Sequence, residues 1–332
     1  MIRTPTLLLP SLFAVTAAFV APADTLAFKV EPKAKLSKTF EMKLEMRSTE
    51  MSMTFDGEDQ SGGMGMPEIT VTNEEKLEFT DEYGAIADGH PTKLVRTFDE
   101  VAGKSGQQFE APAGMEMEGG EESSEQSSAL QGKRVAFTLK DDEWSAAWPE
   151  GEKGDDELLE KLDADLDFVG FLPKKPVSDG DTWELDVKLM KSVMSPGGEL
   201  HLKDEGEDED SEQDEQLKRA IEDNLAGKTT ATYKGKREEG GVEVFVIEIK
   251  SDLTSKGEMD QGEGKAAIES GFELEGEVLW NVKAGHLHAY KLAGKMHFKM
   301  DSTNEIDFGG ETHEMSQKIR FEGEIEYTAK VE

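Results

Sequence analysis

Cysteine is absent from all 332 residues. That excludes a disulfide framework, a lipidated cysteine behind a leader, and thiol chemistry. Positive charge is scarce: 37 Lys and Arg stand against 72 Asp and Glu, a formal balance of −35. Such a surface repels nucleic acid and anionic membranes. The acid excess reads as a solvated surface, since charge runs usually just solvate, with weak calcium binding or a basic partner as the functional alternative.

Complete catalytic and phosphate-binding motifs are also lacking. The stretch His313 to Gln317, "HEMSQ", has Gln317 where a zinc protease helix needs its second histidine, and it lies on a predicted strand. A phosphate loop at Gly227 to Thr229 would need glycine at Glu222, and one at Gly103 to Ser105 would need it at Phe98. "DADLDFVG" from Asp163 imitates a calcium loop, but Phe168 stands where the sharp-turn glycine belongs and Lys174 where the bidentate glutamate belongs. There is no G-x-S-x-G elbow, and acidic pairs are too common in this chain to mark a catalytic dyad. The chain is therefore read as not an enzyme, with no cofactor, no metal site and no catalytic residue assigned.

What is present begins with an export signal. One basic residue, Arg3, precedes an apolar run from Leu7 to Ala21, and Ala21-Pro22-Ala23 follows as a small-x-small triplet. That order predicts a secretory signal peptide over residues 1–23, with a cut after Ala27 as the runner-up. The run is shorter than the roughly 20 residues a membrane span needs, and it contains Pro10. The expected product is exported, periplasmic or extracellular, soluble and not membrane-spanning.

Alternation then dominates. Phe40, Met42, Leu44 and Met46 share one face, and Met51, Met53 and Phe55 share the other parity, which predicts a bulge near Arg47 to Glu50. Ile69, Val71, Leu77 and Phe79 alternate next, then Val135, Phe137 and Leu139, and later Trp183, Leu185, Val187 and Leu189. Each pattern predicts a half-buried strand. Two amphipathic helices are expected: one capped by Asp155 and carrying Leu158, Leu159, Leu162 and Leu166, the other capped by Ser211 with Asp214 and carrying Leu217, Ile221 and Leu225. The Gly-, Ser- and Glu-rich stretch 103–132 and the acidic stretch 203–216 read as disordered, solvated loops, with Gly57 to Gly65 a smaller one. The domain reading is an N-terminal β lobe over 24–150, then a helix, linker and C-terminal curved β lobe over 151–332.

From Gly285 to Met300 the even positions are His286, His288, Tyr290, Leu292, Gly294, Met296, Phe298 and Met300, while Lys291, Lys295, His297 and Lys299 occupy odd ones. The flanking segments, Phe272 to Val282 and Ile319 to Tyr327, alternate likewise, and each of the three places a glycine on its apolar face. Hairpins turning at Gly285 and between Phe308 and Gly309 would set Gly276, Gly294 and Gly323 in one row, Leu274 beside Met296 and Phe321, and Trp280 beside Tyr290 and Tyr327. Glycines on one face bend long strands, and sixteen residues would otherwise run roughly 50 Å. His286 and His288 share a face in this reading, but no third ligand converges, so they are read as structural. The fold class is mainly β: a strongly curved, long-stranded antiparallel sheet or half-barrel with two short amphipathic helices.

The segment joining the lobes, "FLPKKPVSDGDTWELD", contains Leu172, Pro173, Pro176 and Val177 ahead of Gly180, Asp181 and Trp183. In these residues the chain resembles a group of uncharacterised secreted bacterial β-rich proteins with a Leu-Pro-x-x-Pro-Val segment before a Gly-Asp-x-Trp strand. The resemblance brings no activity. In outline the expected architecture is similar to the half-barrel of periplasmic lipoprotein carriers. The functional expectation is an exported binding protein holding an apolar or lipid-like ligand on the concave face, at Met42, Met46, Leu274, Trp280, Tyr290, Met296, Phe321 and Tyr327. Methionines would make that surface adaptable. The alternative is a non-catalytic structural or interaction protein of the bacterial cell envelope, in which the same residues form a filled core.

Overall fold

The computed structural model describes residues 23–59, 67–87, 89–110, 120–141, 143–204, 212–260, 264–308 and 311–332. Residues 1–22, which hold most of the expected signal peptide, and 60–66, 88, 111–119, 142, 205–211, 261–263 and 309–310 lie outside the described residues. Strands β1 (Lys35–Phe55), β2 (Glu58–Asp59), β3 (Glu68–Ala87), β4 (His90–Glu110), β5 (Gly120–Ser128), β6 (Arg134–Lys140) and β7 (Glu143–Ala147) make the first half. There follow β8 (Thr182–Leu185), α1 (Val187–Met194), β9 (Leu202–Asp204), α2 (Glu212–Glu222), β10 (Ala226–Glu239), β11 (Val242–Asp260), β12 (Gly264–Asn281), β13 (Leu287–Phe308) and β14 (Glu311–Val331).

All ladders are antiparallel and belong to one sheet, in the order β7-β6-β4-β3-β1-β14-β13-β12-β11-β10-β8. The sheet is mainly a meander, joined in its middle by the first and last long strands, so the two expected lobes are joined by the ladder between β1 and β14 and by the short one between β5 and β9. Its ends, β7 and β8, do not meet, and it stays an open, curved half-barrel. The bulge foreseen in β1 lies between Ser48 and Glu50.

One face of the sheet carries Phe40, Leu77, Phe79, Phe98, Ile249, Leu274, Val278, Leu292 and Tyr327, all buried. Its inner half is covered by Leu26, Phe28 and Val30 of the first extended stretch, by Leu166, Phe168 and Phe171, and by Met190 and Val193 of α1. Farther out, α2 sets Ala220 against Met259, Ala266, Ile268 and Phe298.

Several expectations change. The hairpin from Ala102–Ser127 to Phe109–Gly120 makes most of the supposed loop 103–132 into β4 and β5. Its polar side chains gave no apolar alternation, but β3 supplies a template along all of β4. The acidic stretch 203–216 begins in β9 and ends in α2. The alternating Trp183 to Leu189 run is a strand only to Leu185. Asp186 then accepts from Lys188 N–H at 2.9 Å and caps α1, because Val187, Met190 and Val193 also fit helical spacing. Conversely, the helix expected after Asp155 is a single 3₁₀ turn, Asp156–Leu159. Beyond it Asp163 and Asp165 accept the N–H groups of Asp165 and Asp167, at 2.9 and 3.3 Å, offering the backbone an alternative to a helix.

The register across the glycines differs by two residues from the expected one. Gly276 faces Leu292, Gly294 faces Leu274 and Ile325, and Gly323 faces Met296 and Met46. The glycines form a stagger instead of a row, and Trp280 pairs with Leu287, not Tyr290. A two-residue slip keeps every side chain on its face, so alternation alone does not distinguish the two registers. Bending still explains the glycines: a Cβ on Gly276, Gly294 or Gly323 would lie 1.8–1.9 Å from the carbonyl oxygen of Lys291, Glu273 or Glu45. Neighbouring strands approach there as only glycine permits.

Candidate functional site

Of the eight residues named from the sequence, Leu274, Trp280, Tyr290, Met296 and Tyr327 are buried in the core, while Met42, Met46 and Phe321 are half-buried at its outer margin. All lie on the concave face. Between Phe40, Met42, Leu77, Tyr290 and Tyr327 of the sheet and Val193 and Pro196 above them, the remaining cavity is about 10 Å³. That is roughly the space of one water molecule. The inner half of the face is thus a filled core.

The outer half is different. From Phe298, Phe321 and Met300 at the margin of the α2 cluster, the concave face continues outward along β1 as Met51, Met53 and Phe55, along β14 as Ile319, Gln317 and Met315, and along β13 as Ser302. Most of these side chains are half-buried. Alternation named the strands, but the sequence did not reveal where the helical cover stops. Toward β3 and β4 the floor turns polar at Glu75, Gly103 and Gln126, which line a depression of about 460 Å³ beside Met42. Burial raises the Glu75 pKa above the usual carboxylate value.

A second feature was missed entirely. Lys38, Asp81 and Arg96 sit on adjacent strands β1, β3 and β4, facing inward and almost without solvent contact. The Lys38 ammonium lies 2.9 Å from Asp81 and 2.8 Å from Asp167. Arg96 grips both oxygens of Asp81, at 2.7 and 2.9 Å, and donates to the carbonyls of Asp163 and Ala164 at 2.7 and 3.0 Å. Tyr83 donates to Asp167, and the Arg96 guanidinium lies 5.2 and 5.3 Å from the ring centroids of Phe79 and Phe137. The loop that imitated a calcium site therefore caps this cluster, with its sharp turn made by Phe168 at φ 51°.

Electrostatics follow from that packing. Burial would raise the Asp81 pKa, but Arg96 and Lys38 outweigh it and hold the value at about 2. Burial would depress Lys38, yet Asp167 and Asp81 keep it above the ordinary lysine value. Asp165 lies exposed at the outer edge, where its carboxylate accepts the Asp167 N–H at 3.3 Å. Two buried cations against two buried carboxylates leave the centre balanced and its donors engaged, which is a structural arrangement.

The histidine pair does not share the inner face as expected. A bulge pairs Leu279 with Ala289 but Trp280 with Leu287, so Leu287 is buried while His286 and His288 are half-buried. Burial lowers the His286 pKa. Among the described residues no three His, Cys, Asp or Glu side chains converge as metal ligands. Nor is any described helix long and apolar enough to cross a membrane, which leaves strands out of account.

No family model matches the chain, and no curated protein matches it. Among solved structures, an outer membrane channel from Pseudomonas putida F1 aligns over 94% of this chain and 100% of its own, at 10% identity and a TM-score of 0.23. A likeness of that depth carries no argument about this chain.

Proposed function

We propose that the protein is an exported carrier that holds an apolar chain on the outer half of its concave face, beyond the helices that fill the inner half. The observation that supports this reading is the continuation of one apolar surface over three adjacent strands, from Met46, Phe321 and Met300, which pack at the margin of the α2 cluster, to Met51, Met53 and Ile319 outside it. Half-exposed thioethers and aromatic edges suit a flexible acyl chain of variable shape. Each methylene buried contributes about 0.8 kcal/mol, so a dozen supply on the order of 10 kcal/mol before the cost of ordering the chain. The site is thereby moved outward: Met46 and Phe321 remain in it, and Trp280, Tyr290 and Tyr327 support it from the core.

Titration with a fluorescent fatty acid tests the reading. Saturable binding, competed by unlabelled fatty acid, is expected. Phe321→Glu should abolish it, because the acid would be desolvated against the chain. Circular dichroism checks that the variant stays folded. Absence of saturable binding, or equal binding by a folded Phe321→Glu, would remove the carrier reading in favour of an envelope interaction protein.

A further inference from the structure

The water-sized cavity under α1 is not apolar throughout. Tyr290 and Tyr327, 3% and 4% exposed, both line it, and Glu75 lines it with them. Register explains the meeting. Glu75, Met42 and Tyr327 form one row across β3, β1 and β14, and Tyr290, opposite Ala329, is the diagonal neighbour of Tyr327. Glu75 and Tyr327 stand two strand spacings apart, about 10 Å at the backbone, and both side chains reach the one cavity above Met42.

The polar groups of this cluster are uncommitted. Neither tyrosine hydroxyl makes a hydrogen bond among the described residues. Burial alone raises the Tyr290 pKa; for Tyr327 burial leads, and the nearby Glu75, Tyr290 and Glu222 add to it. The Asn73 Oδ1, one row outward on β3, is buried without a partner, while the same side chain bonds Glu75. Burial holds the Glu75 pKa above the ordinary carboxylate value against the pull of Lys218 and of that bond. Buried polar groups without partners cost free energy, and a guest that satisfies them recovers it. From this cluster outward, Met42, Leu44 and Met46 of β1 and Asn73 and Val71 of β3 are paired in register and stay half-buried, a continuous track to the open face.

Size and hydrogen-bonding sense select the head group. A cavity of about 10 Å³ admits a single oxygen-sized group. A carboxylate or phosphate is larger, only accepts when ionised, and would bring another negative charge beside Glu75 and Glu222. A hydroxyl accepts from a tyrosine and donates to Glu75 or to the Asn73 Oδ1. We propose that the concave face carries a long-chain primary alcohol, its hydroxyl seated among Tyr290, Tyr327 and Glu75 and its chain running outward over Met42 and Met46. This rests on the carrier reading and narrows its ligand from any apolar chain to a hydroxyl-headed one.

Displacement of the fluorescent fatty acid from the full mature chain at pH 7 tests it, with dodecanol, dodecyl methyl ether and dodecanoate as competitors. The ether matches dodecanol in chain length but has no proton to donate. Dodecanol should compete about tenfold better than the ether in the parent, because only it satisfies both donor and acceptor groups. Tyr290→Phe with Tyr327→Phe keeps both rings and should bring the two competitors to within about twofold. Glu75→Gln removes the repelling charge and should strengthen dodecanoate alone. Circular dichroism checks that the variants fold, and the comparison in the parent needs no variant. If the fluorescent fatty acid binds but the ether competes as well as dodecanol, the cavity holds only its own water and this proposal is overturned while the carrier reading stands. A folded double phenylalanine variant that keeps the full preference for dodecanol overturns it as well. Absence of saturable binding of the fluorescent fatty acid overturns both.

Discussion

Changing Lys38 to methionine keeps the aliphatic stem and deletes the ammonium at the centre of the buried cluster. Asp167 then retains only Tyr83 as a side-chain donor, and Asp81 only Arg96. Lys38 and Asp81 are 1% and 0% exposed, so water does not take over the lost contacts without opening the core. Removing one partner of a buried ion pair costs about 3–5 kcal/mol, against a total stability of about 5–15 kcal/mol for a typical domain. Urea unfolding at pH 7, followed by tryptophan fluorescence, should show a much lower midpoint with an unchanged slope. Adding Asp167→Asn to Lys38→Met restores the charge balance and should recover part of the loss, a coupling of about 1–3 kcal/mol. A loss below about 1 kcal/mol in Lys38→Met, or strict additivity in the pair, would refute the view that this cluster acts as one electrostatic unit.

Acid should act on the same cluster: Asp81 titrates near 2 in the fold against an ordinary 3.8, so its contribution is complete above about 4 and fades as pH falls toward 2, a loss that Asp81→Asn should no longer show in urea midpoints. Gly294→Ala would place a Cβ 1.8 Å from the Glu273 carbonyl oxygen and should lower stability by about 1–3 kcal/mol or more, whereas Gly120→Ala, with nothing within 4 Å, should be nearly neutral by thermal melting. Deleting 106–128 removes β5 and the Ser128 hydroxyl bond to the Leu200 carbonyl, so a clear drop in Tm is expected; an unchanged Tm would restore the reading of that stretch as a loop.

The strands were legible because their period is two: Phe40 through Met46 and Tyr290 through Met300 point where alternation put them, and the slip after Met46 located a bulge. Helical spacing was less decisive. Leu158, Leu159, Leu162 and Leu166 suit a helix, yet the aspartates between them hold the backbone in turns over Lys38 and Arg96. Val187 continued an alternating run and still entered α1.

What the residues determined by themselves is therefore the class of fold, the inward face of most strands and the need for glycine where the sheet bends, since each depends on side chains a few positions apart. The choice between registers two residues apart was made by the hairpin turns and by the packing of Leu292 against Gly276, because both registers bury the same faces. Pairing of β1 with β14, the assembly of Lys38, Asp81, Arg96 and Asp167, and the point where helical cover ends all join residues distant in sequence. Only the tertiary structure decided them, because the desolvation and donor geometry that hold those groups exist once the strands lie side by side.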